Sequence, residues 1–403
     1  MISLLESRIV GPSVKVDAMT LKYSIAKAAI LAGAALFVFG VGTSNVALAA
    51  EMKKGAKVIT SSSDKVKVRI TGQFSREAIY LDDGGSSRMR YQDSNYSSSR
   101  FRFHTDSKIT SDIDVGALVE IAMDDNRNAL SNTANFGGRS GNDFQTRKTE
   151  IWFNHKQFGR VWLGAGDSAA NGAIESETHG VYGALPFGAG LQASGVQFRN
   201  SSDGSLSGIA NSTVFPDIDF FSRQTRVRYD TPVIAGFLAS VSHSDEQIWE
   251  AALRYSGKFL DTQIKTSIAY ADGAISDGED IYGGSISATH SSGLGVTFGI
   301  AATNEDNRGS TNGAEDEFGI SIQGHYGRKL TELGKTTLLG EYWHQENAAA
   351  DGDVGKMFAV VVQQNIDAAA LELWMRYANM DLDRSGSDFD DINMVTHGAR
   401  MKF

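Results

Sequence analysis

From residue 65 to the end of the chain, apolar and polar side chains alternate in short runs separated by polar breaks. In the first run Val66, Val68, Ile70 and Phe74 fall on one side, and Lys65, Lys67, Arg69, Thr71 and Gln73 on the other, the period of two that a β-strand requires. Five runs cover 65–80, 99–105, 113–123, 144–154 and 159–166. After a gap the rhythm resumes at 224–229, 237–242, 247–255, 262–271, 281–289, 294–303, 317–326, 336–345, 356–365, 369–379 and 391–403. Sixteen strands of about ten residues are thus expected, the length that crosses an outer membrane at a tilt near 45°. No useful helical period appears among them.

The connections alternate in length. Short turns lie near 111, 157, 233, 258, 292, 330 and 367. Longer loops rich in Asp, Gly, Ser and Asn lie near 90, 133, 194, 275, 310, 350 and 385, with one short exception near 245. A membrane barrel has this asymmetry, with short periplasmic turns and long external loops, whereas a sandwich or solenoid has no need of it. Aromatic residues agree: Tyr80, Phe144, Tyr270, Tyr282, Phe318, Tyr342, Phe358 and Tyr377 fall near long-loop ends, and Phe158, Phe237, Tyr255, Phe259, Tyr326 and Phe403 near short-turn ends. Two belts are expected where rings meet the two lipid interfaces.

The gap at about 167–221 is too long for an ordinary connection and shows neither period. It carries Asp167, Glu175, Glu177, Asp203, Asp217 and Asp219, together with Tyr182, Phe187, Phe215, Phe220 and Phe221. A disordered linker would hold fewer large apolar residues, so an ordered functional loop is expected.

Composition changes the picture at three points. A mean hydropathy of -0.22 excludes a bundle of apolar membrane helices but not a barrel, whose strands are only half apolar. The chain of 403 residues has no Cys, which removes disulfides and thiolate metal sites. A formal charge of -10 argues against a nucleic-acid partner. At the amino end, Lys22 and Lys27 precede an apolar run at 28–41, which small residues close at Ala47 and Ala49. Residues 1–49 therefore read as a Sec-type signal peptide, Met19 being a candidate true start, followed by a polar lead at 50–64 and the barrel at 65–403.

A closed ring of sixteen strands leaves a lumen too wide for side chains to fill. The inward parity collects Lys67 and Arg69, then Arg100, Arg102 and His104, then Lys148 and Glu150, then Arg226 and Arg228. An acidic loop folded inward would face these bases across a narrow gap, and the transverse field there would favour small polar solutes.

With its signal peptide, sixteen strands, longest loop after strand five, arginine wall and terminal Phe403, the mature chain resembles the Gram-negative general diffusion porins of the alphaproteobacterial kind. The resemblance implies a third external loop that folds into the lumen as the constriction. It also implies a terminal aromatic read by the barrel-assembly machinery, and a homotrimer in outer-membrane lipid and lipopolysaccharide. On this reading Asp167, Glu175 and Glu177 form the acidic side of the constriction, facing Arg69, Arg100, Arg102, Arg226 and Arg228. No catalysis and no cofactor are expected.

Other signals weigh less. Gly164, Gly166 and Ala169 mimic a dinucleotide fingerprint, but no βαβ unit surrounds them. The eight His are scattered, and no zinc or nucleophile-elbow motif is present. A calcium-loop opening at Asp381 fails at Ile392, where a Glu would be required. Acidic external loops bridging lipopolysaccharide phosphates through divalent cations remain an alternative to simple solvated loops. Trp152, Trp162, Trp343 and Trp374 share the inward parity, which suits a sugar-stacking track or strand-end and trimer packing. The competing functions are a channel selective for anions or sugars, a barrel enzyme, and a plugged structural or adhesive barrel.

Overall fold

The computed structural model describes residues 58–60, 65–125, 142–188, 192, 194–273, 280–304 and 316–403. Residues 1–49, read from the sequence as a signal peptide, nearly all of the polar lead and the centres of the loops near 133, 275 and 310 lie outside the described residues. Sixteen long strands follow the expected runs within a few residues. They are β1 (Lys67–Asp82), β2 (Arg100–Lys108), β3 (Ile113–Asp125), β4 (Asn142–His155) and β5 (Gly159–Asp167). After the long segment come β6 (Arg223–Asp230), β7 (Phe237–Ser244), β8 (Trp249–Phe259), β9 (Thr262–Asp272), β10 (Asp280–His290) and β11 (Leu294–Asn304). The last five are β12 (Phe318–Thr331), β13 (Gly334–Glu346), β14 (Val354–Ile366), β15 (Leu371–Asp383) and β16 (Ile392–Lys402).

Each strand pairs antiparallel with the next, and β16 returns to β1 through a register running from Gln73↔Lys402 to Asp82↔Asn393. The ring is closed. Closure removes the unpaired edges that could not exist in lipid. Two further strands of the same sheet are short, Val58–Thr60 on β1 and Ser87–Asp93 on the upper half of β1. The latter lies inside what the sequence reads as a polar loop.

Burial shows which side faces lipid. Along β14, Phe358, Val360 and Val362 are exposed while Met357, Ala359, Val361 and Gln363 are buried. Val227, Val241, Leu253, Ile322, Leu338, Leu373 and Met375 repeat the exposed apolar parity around the ring. A continuous apolar belt of this kind would be an aggregation hazard in water and is what a bilayer solvates. The opposite parity is largely polar and buried: Ser242, Glu250, Ser267, Ser287, Gln323, Glu341 and Gln363.

The carboxyl end is stitched into the seam. Gly72 N–H donates to Phe403 O at 2.8 Å and Phe403 N–H to Gly72 O at 3.0 Å. The Phe403 ring sits 5.7 Å from both Phe74 and Phe101. A Cβ on Gly72 would come within 2.5 Å of that ring, so only glycine leaves room for it. Phe403→Ala is therefore expected to cost about 1 kcal/mol per lost ring contact in refolding measured in detergent. If the terminal aromatic is also an insertion signal, barrel recovered from cell outer membranes should fall far more than that small loss predicts.

Candidate functional site

The basic wall is built by β2 to β6. Cross-strand register places Arg102 opposite Glu120, and the partner of Glu120 on β4 is Lys148. The register then slips, so that Ile121 pairs with Thr146 and Arg147 is left as an extra residue. Such a bulge turns two consecutive side chains to one face. Arg147 donates from Nε to Glu120 Oε1 at 2.7 Å, while Lys148 donates to Asp167. Arg100 and Arg102 reach the same Glu120 carboxylate at 3.3 and 2.5 Å. Three guanidiniums thus converge on one carboxylate whose side chain is 2 % exposed, a group with formal charge of +2.

Beside it, Arg226 pairs with Glu150 at 2.5 Å and Arg228 with Asp230 at 2.8 Å. Both arginines also hold the start of the long segment. Arg226 Nε donates to Asp167 O at 3.0 Å, and Arg228 Nη1 to Ser168 O at 2.9 Å. Ser168 N–H donates to Ser222 O at 3.0 Å, closing the segment at its neck.

From that neck the segment travels along the buried-parity side chains of the ring. Ala169 N–H donates to Ser242 Oγ on β7 and Ala170 N–H to Glu250 on β8, at 2.8 and 2.9 Å. Ser267 on β9 and Ser285 on β10 both donate to Ala173 O at 2.6 Å. Thr178 N–H donates to Ser287 Oγ at 3.0 Å. His179 meets Gln323 on β12 at 3.1 Å, and Lys335 on β13 donates to His179 O at 2.7 Å. Tyr182 N–H donates to Gln363 on β14 at 2.6 Å, and its hydroxyl bonds Ser75 on β1 at 2.8 Å. Residues 167–182 of the segment therefore hug β7 round to β14 and reach β1. Past the neck, the described residues of the segment make no hydrogen bond to β2 to β6.

The return path adds a short hairpin, Gln197–Asn200 with Leu206–Ala210, and one helical turn, Asn211–Val214. Phe389–Asp390, from the connection between β15 and β16, pairs with that hairpin. Phe187 and Phe215 pack edge-on against Trp343 at 5.3 and 5.2 Å. Tyr182 lies 4.3 Å from Trp374, beneath the Arg400 guanidinium at 4.0 Å. Two of the four inward tryptophans are thus covered by the segment, and Trp152 and Trp162 stay half-exposed.

Of the residues that sequence singles out, Arg100 and Arg102 meet at Glu120, and Asp167 is drawn to Lys148. Arg69 stands opposite His104 in register, beside that group. Glu175 lies in the field of Asp167, Asp217 and Asp219. Glu177 goes elsewhere: it accepts Gly180 N–H at 2.6 Å and stands with His179 and Lys335, away from the arginines. Sequence reasoning passed over Glu120, although its parity on β3 is inward, and passed over Arg147, which strict alternation turns to lipid.

Burial first, then the Asp217 and Asp167 charges, push the Glu175 carboxyl up to about 8. Burial, then Glu175 and Asp217, also raise Asp219, whose Oδ2 accepts Gly172 N–H at 2.7 Å. Burial depresses His179, and its ring is held neutral by bonding: Nδ1 accepts Val181 N–H at 2.9 Å while Nε2 faces Gln323 Oε1. Among the described residues no group of three His, Asp or Glu is placed to hold a metal ion.

A closed barrel with an apolar belt outside and a charged wall inside defines a transmembrane β-barrel channel. The model of the Gram-negative porin family matches residues 32–393, and the chain belongs to that family. It is an outer-membrane channel for passive diffusion. Comparison with curated protein sequences finds no match. Among solved structures the chain is similar to the anion-selective porin from Comamonas acidovorans, at 15% identity and a TM-score of 0.58, over 84% of this chain and 100% of that one. It is similar also to the outer membrane channel DcaP of Acinetobacter baumannii, at 11% identity and 0.57, over 85% and 99%. OmpT, an outer membrane protein of Vibrio cholerae, matches at 16% identity and 0.56, over 86% and 100%.

Proposed function

We propose that the channel passes small hydrophilic solutes and ions by general diffusion, and that the segment at 167–221 folds into the lumen as its constriction. One observation carries this reading: past its neck the segment bonds to lumen-side groups from β7 round to β14 and on β1, and its described residues make no hydrogen bond there to the charged wall of β2 to β6. The narrow passage then lies between that wall and the acids Asp167, Glu175, Asp217 and Asp219. Arg100, Arg102 and Arg147 line its basic side, Arg69 flanks them, and Arg226 and Arg228 anchor the segment. Glu177 lies outside this passage. No reaction is catalysed; the polar groups described are engaged in holding the segment and setting a field.

Assembly as a homotrimer belongs to the same proposal, and a trimer form of Vibrio cholerae OmpT is among the similar structures. So does contact with lipopolysaccharide and with the machinery that inserts barrels. Planar-bilayer recording of the purified protein tests the reading. Ohmic currents, not blocked by any one sugar, are expected, with swelling of liposomes in small sugars. A reconstituted barrel that carries no current and admits no sugar would end it.

The raised carboxyl of Glu175 gives a pH signature. Below about pH 8 Glu175 holds its proton; above it the passage gains negative charge. Cation preference in a salt gradient should therefore rise between pH 7 and pH 9, on the order of one added charge. Because burial and then the Glu175 charge raise Asp219 as well, the step should vanish in the double variant Glu175→Gln, Asp219→Asn. An identical step in that variant would place the titrating group elsewhere.

A further inference from the structure

Near the turn at 156–158 the lumen wall carries a second group, and it takes no part in the proposed constriction. Trp152 and Trp162 are direct cross-strand partners on β4 and β5, with ring centroids 6.3 Å apart. The Arg160 guanidinium lies over both, 4.5 Å from one ring and 5.0 Å from the other. Trp152 can lie flat because its partner on β3 is Gly116, where a Cβ would come within 2.3 Å of the ring. Trp162 is fixed at its other end by Nε1–H donation to Asp230 Oδ2 at 2.8 Å. The platform is rigid, and it faces the lumen half-exposed.

Its charges are not spent. Arg100, Arg102, Arg147, Arg226 and Arg228 each contact a carboxylate. Arg160 makes no ion pair with a described residue: its Nε donates to Asn154 Oδ1 at 3.4 Å, and its terminal nitrogens have no acceptor among the described residues. Of the acids in its field, Asp230, its register partner on β6, comes first but is paired with Arg228; Asp106 and Asp114 follow, and neither forms an ion pair with a described residue. Lys67 and Lys108 stand opposite these two acids in register without bridging to them. Two indole rings tilted 59° apart therefore carry a guanidinium over their faces, with open carboxylates nearby.

A fork of parallel N–H groups binds a carboxylate bidentately. Carboxylates beside an aromatic face suit an ammonium group. We infer that the group formed by Trp152, Arg160, Trp162, Asp106 and Asp114 is a binding station for zwitterionic amino acids on the short-turn side of the constriction. The α-carboxylate goes to Arg160, the α-ammonium to Asp106 and Asp114, and the side chain lies beside the two rings. The station stands four residues along β4 from Lys148, about 14 Å at 3.4 Å per residue, so a solute meets the two sites in succession. Conduction needs a site that releases, so affinity in the millimolar range, of order 1 mM, is expected.

The inference rests on the channel reading, and single-channel recording keeps the two apart. With L-phenylalanine added on the short-turn side, open-channel current should show solute-dependent noise that saturates; acetate alone and ethylamine alone should not produce it. Arg160→Gln should weaken the response about tenfold, as should the double variant Asp106→Asn, Asp114→Asn, with open-channel current retained as proof of a folded barrel. Trp152→Leu keeps every charge and should also weaken it. A barrel without current overturns the channel. A conducting channel whose phenylalanine response is absent, unchanged in Arg160→Gln, or matched by acetate overturns the station and leaves the channel standing.

Discussion

Glu120→Gln is expected to destabilise the barrel more than any other single substitution in the basic wall. The carboxylate is 2 % exposed and holds Arg100, Arg102 and Arg147 at 3.3, 2.5 and 2.7 Å. Removing its charge leaves three guanidiniums packed together with nothing to neutralise them. Breaking a buried ion pair from one side costs about 3–5 kcal/mol, and here three like charges are left behind. The opposite change is milder. Arg102→Ser leaves the carboxylate with two partners and takes away a half-exposed guanidinium, so the folded form should persist.

The two variants should move selectivity in opposite directions. Glu120→Gln adds one net positive charge to the passage and shifts the reversal potential towards anions. Arg102→Ser, alone or with Arg100→Ser, shifts it towards cations. The temperature at which the folded band disappears on a semi-native gel reads the first effect, and bilayer reversal potentials read the second. A Glu120→Gln barrel as heat-resistant as the parent would mean that the three arginines are solvated independently of it.

The strands were legible because lipid and lumen impose opposite demands on alternate residues, and each strand pays that demand along its whole length. The inward parity of Arg100, Arg102, Arg226 and Arg228 follows from it directly. Arg147 shows where the rule stops. A bulge is a local insertion with no residue signature of its own, and one extra residue changes the side to which a charged group points. Glu120 was readable in principle, but a lone carboxylate among apolar neighbours on β3 says nothing about the three bases that other strands bring to it.

The long segment was visible only as an absence of period, and the structure gives the physical reason. From Ala169 to Tyr182 its backbone groups bond to side chains of the wall, such as Ser242, Glu250, Ser285, Ser287 and Gln363, instead of to a ladder of its own. Partners set by a distant wall leave no regular spacing in the segment itself. What the sequence does carry is size: Ala169, Ala170, Ala173 and Ala184 are fully buried, and small residues let the backbone lie close to the strands. Glu177 illustrates the consequence. Two residues from Glu175, it sits with Lys335 and His179 because the segment has by then advanced along the ring.

Replacing residues 176–215 by a short Gly–Ser linker should therefore widen the passage and loosen the barrel together. The segment's neck would survive, because Ser168, Ala169 and Ala170 keep their bonds to Ser222, Ser242 and Glu250. Conductance scales with the open cross-section, and removing a segment that lines half the ring should raise it about two- to threefold. The wall beneath was not made for water everywhere. Trp343 would lose Phe187 and Phe215, and the pair of Arg376 with Glu341, each side chain 1 % exposed, would lose its cover. Each large apolar side chain returned to water forfeits about 2 kcal/mol, so the melting temperature should drop even as the current grows. Swelling assays with a series of sugars of increasing mass would show the cutoff move to larger solutes. A linker variant with the parent's conductance and cutoff would place residues 176–215 outside the solute path and overturn the constriction reading.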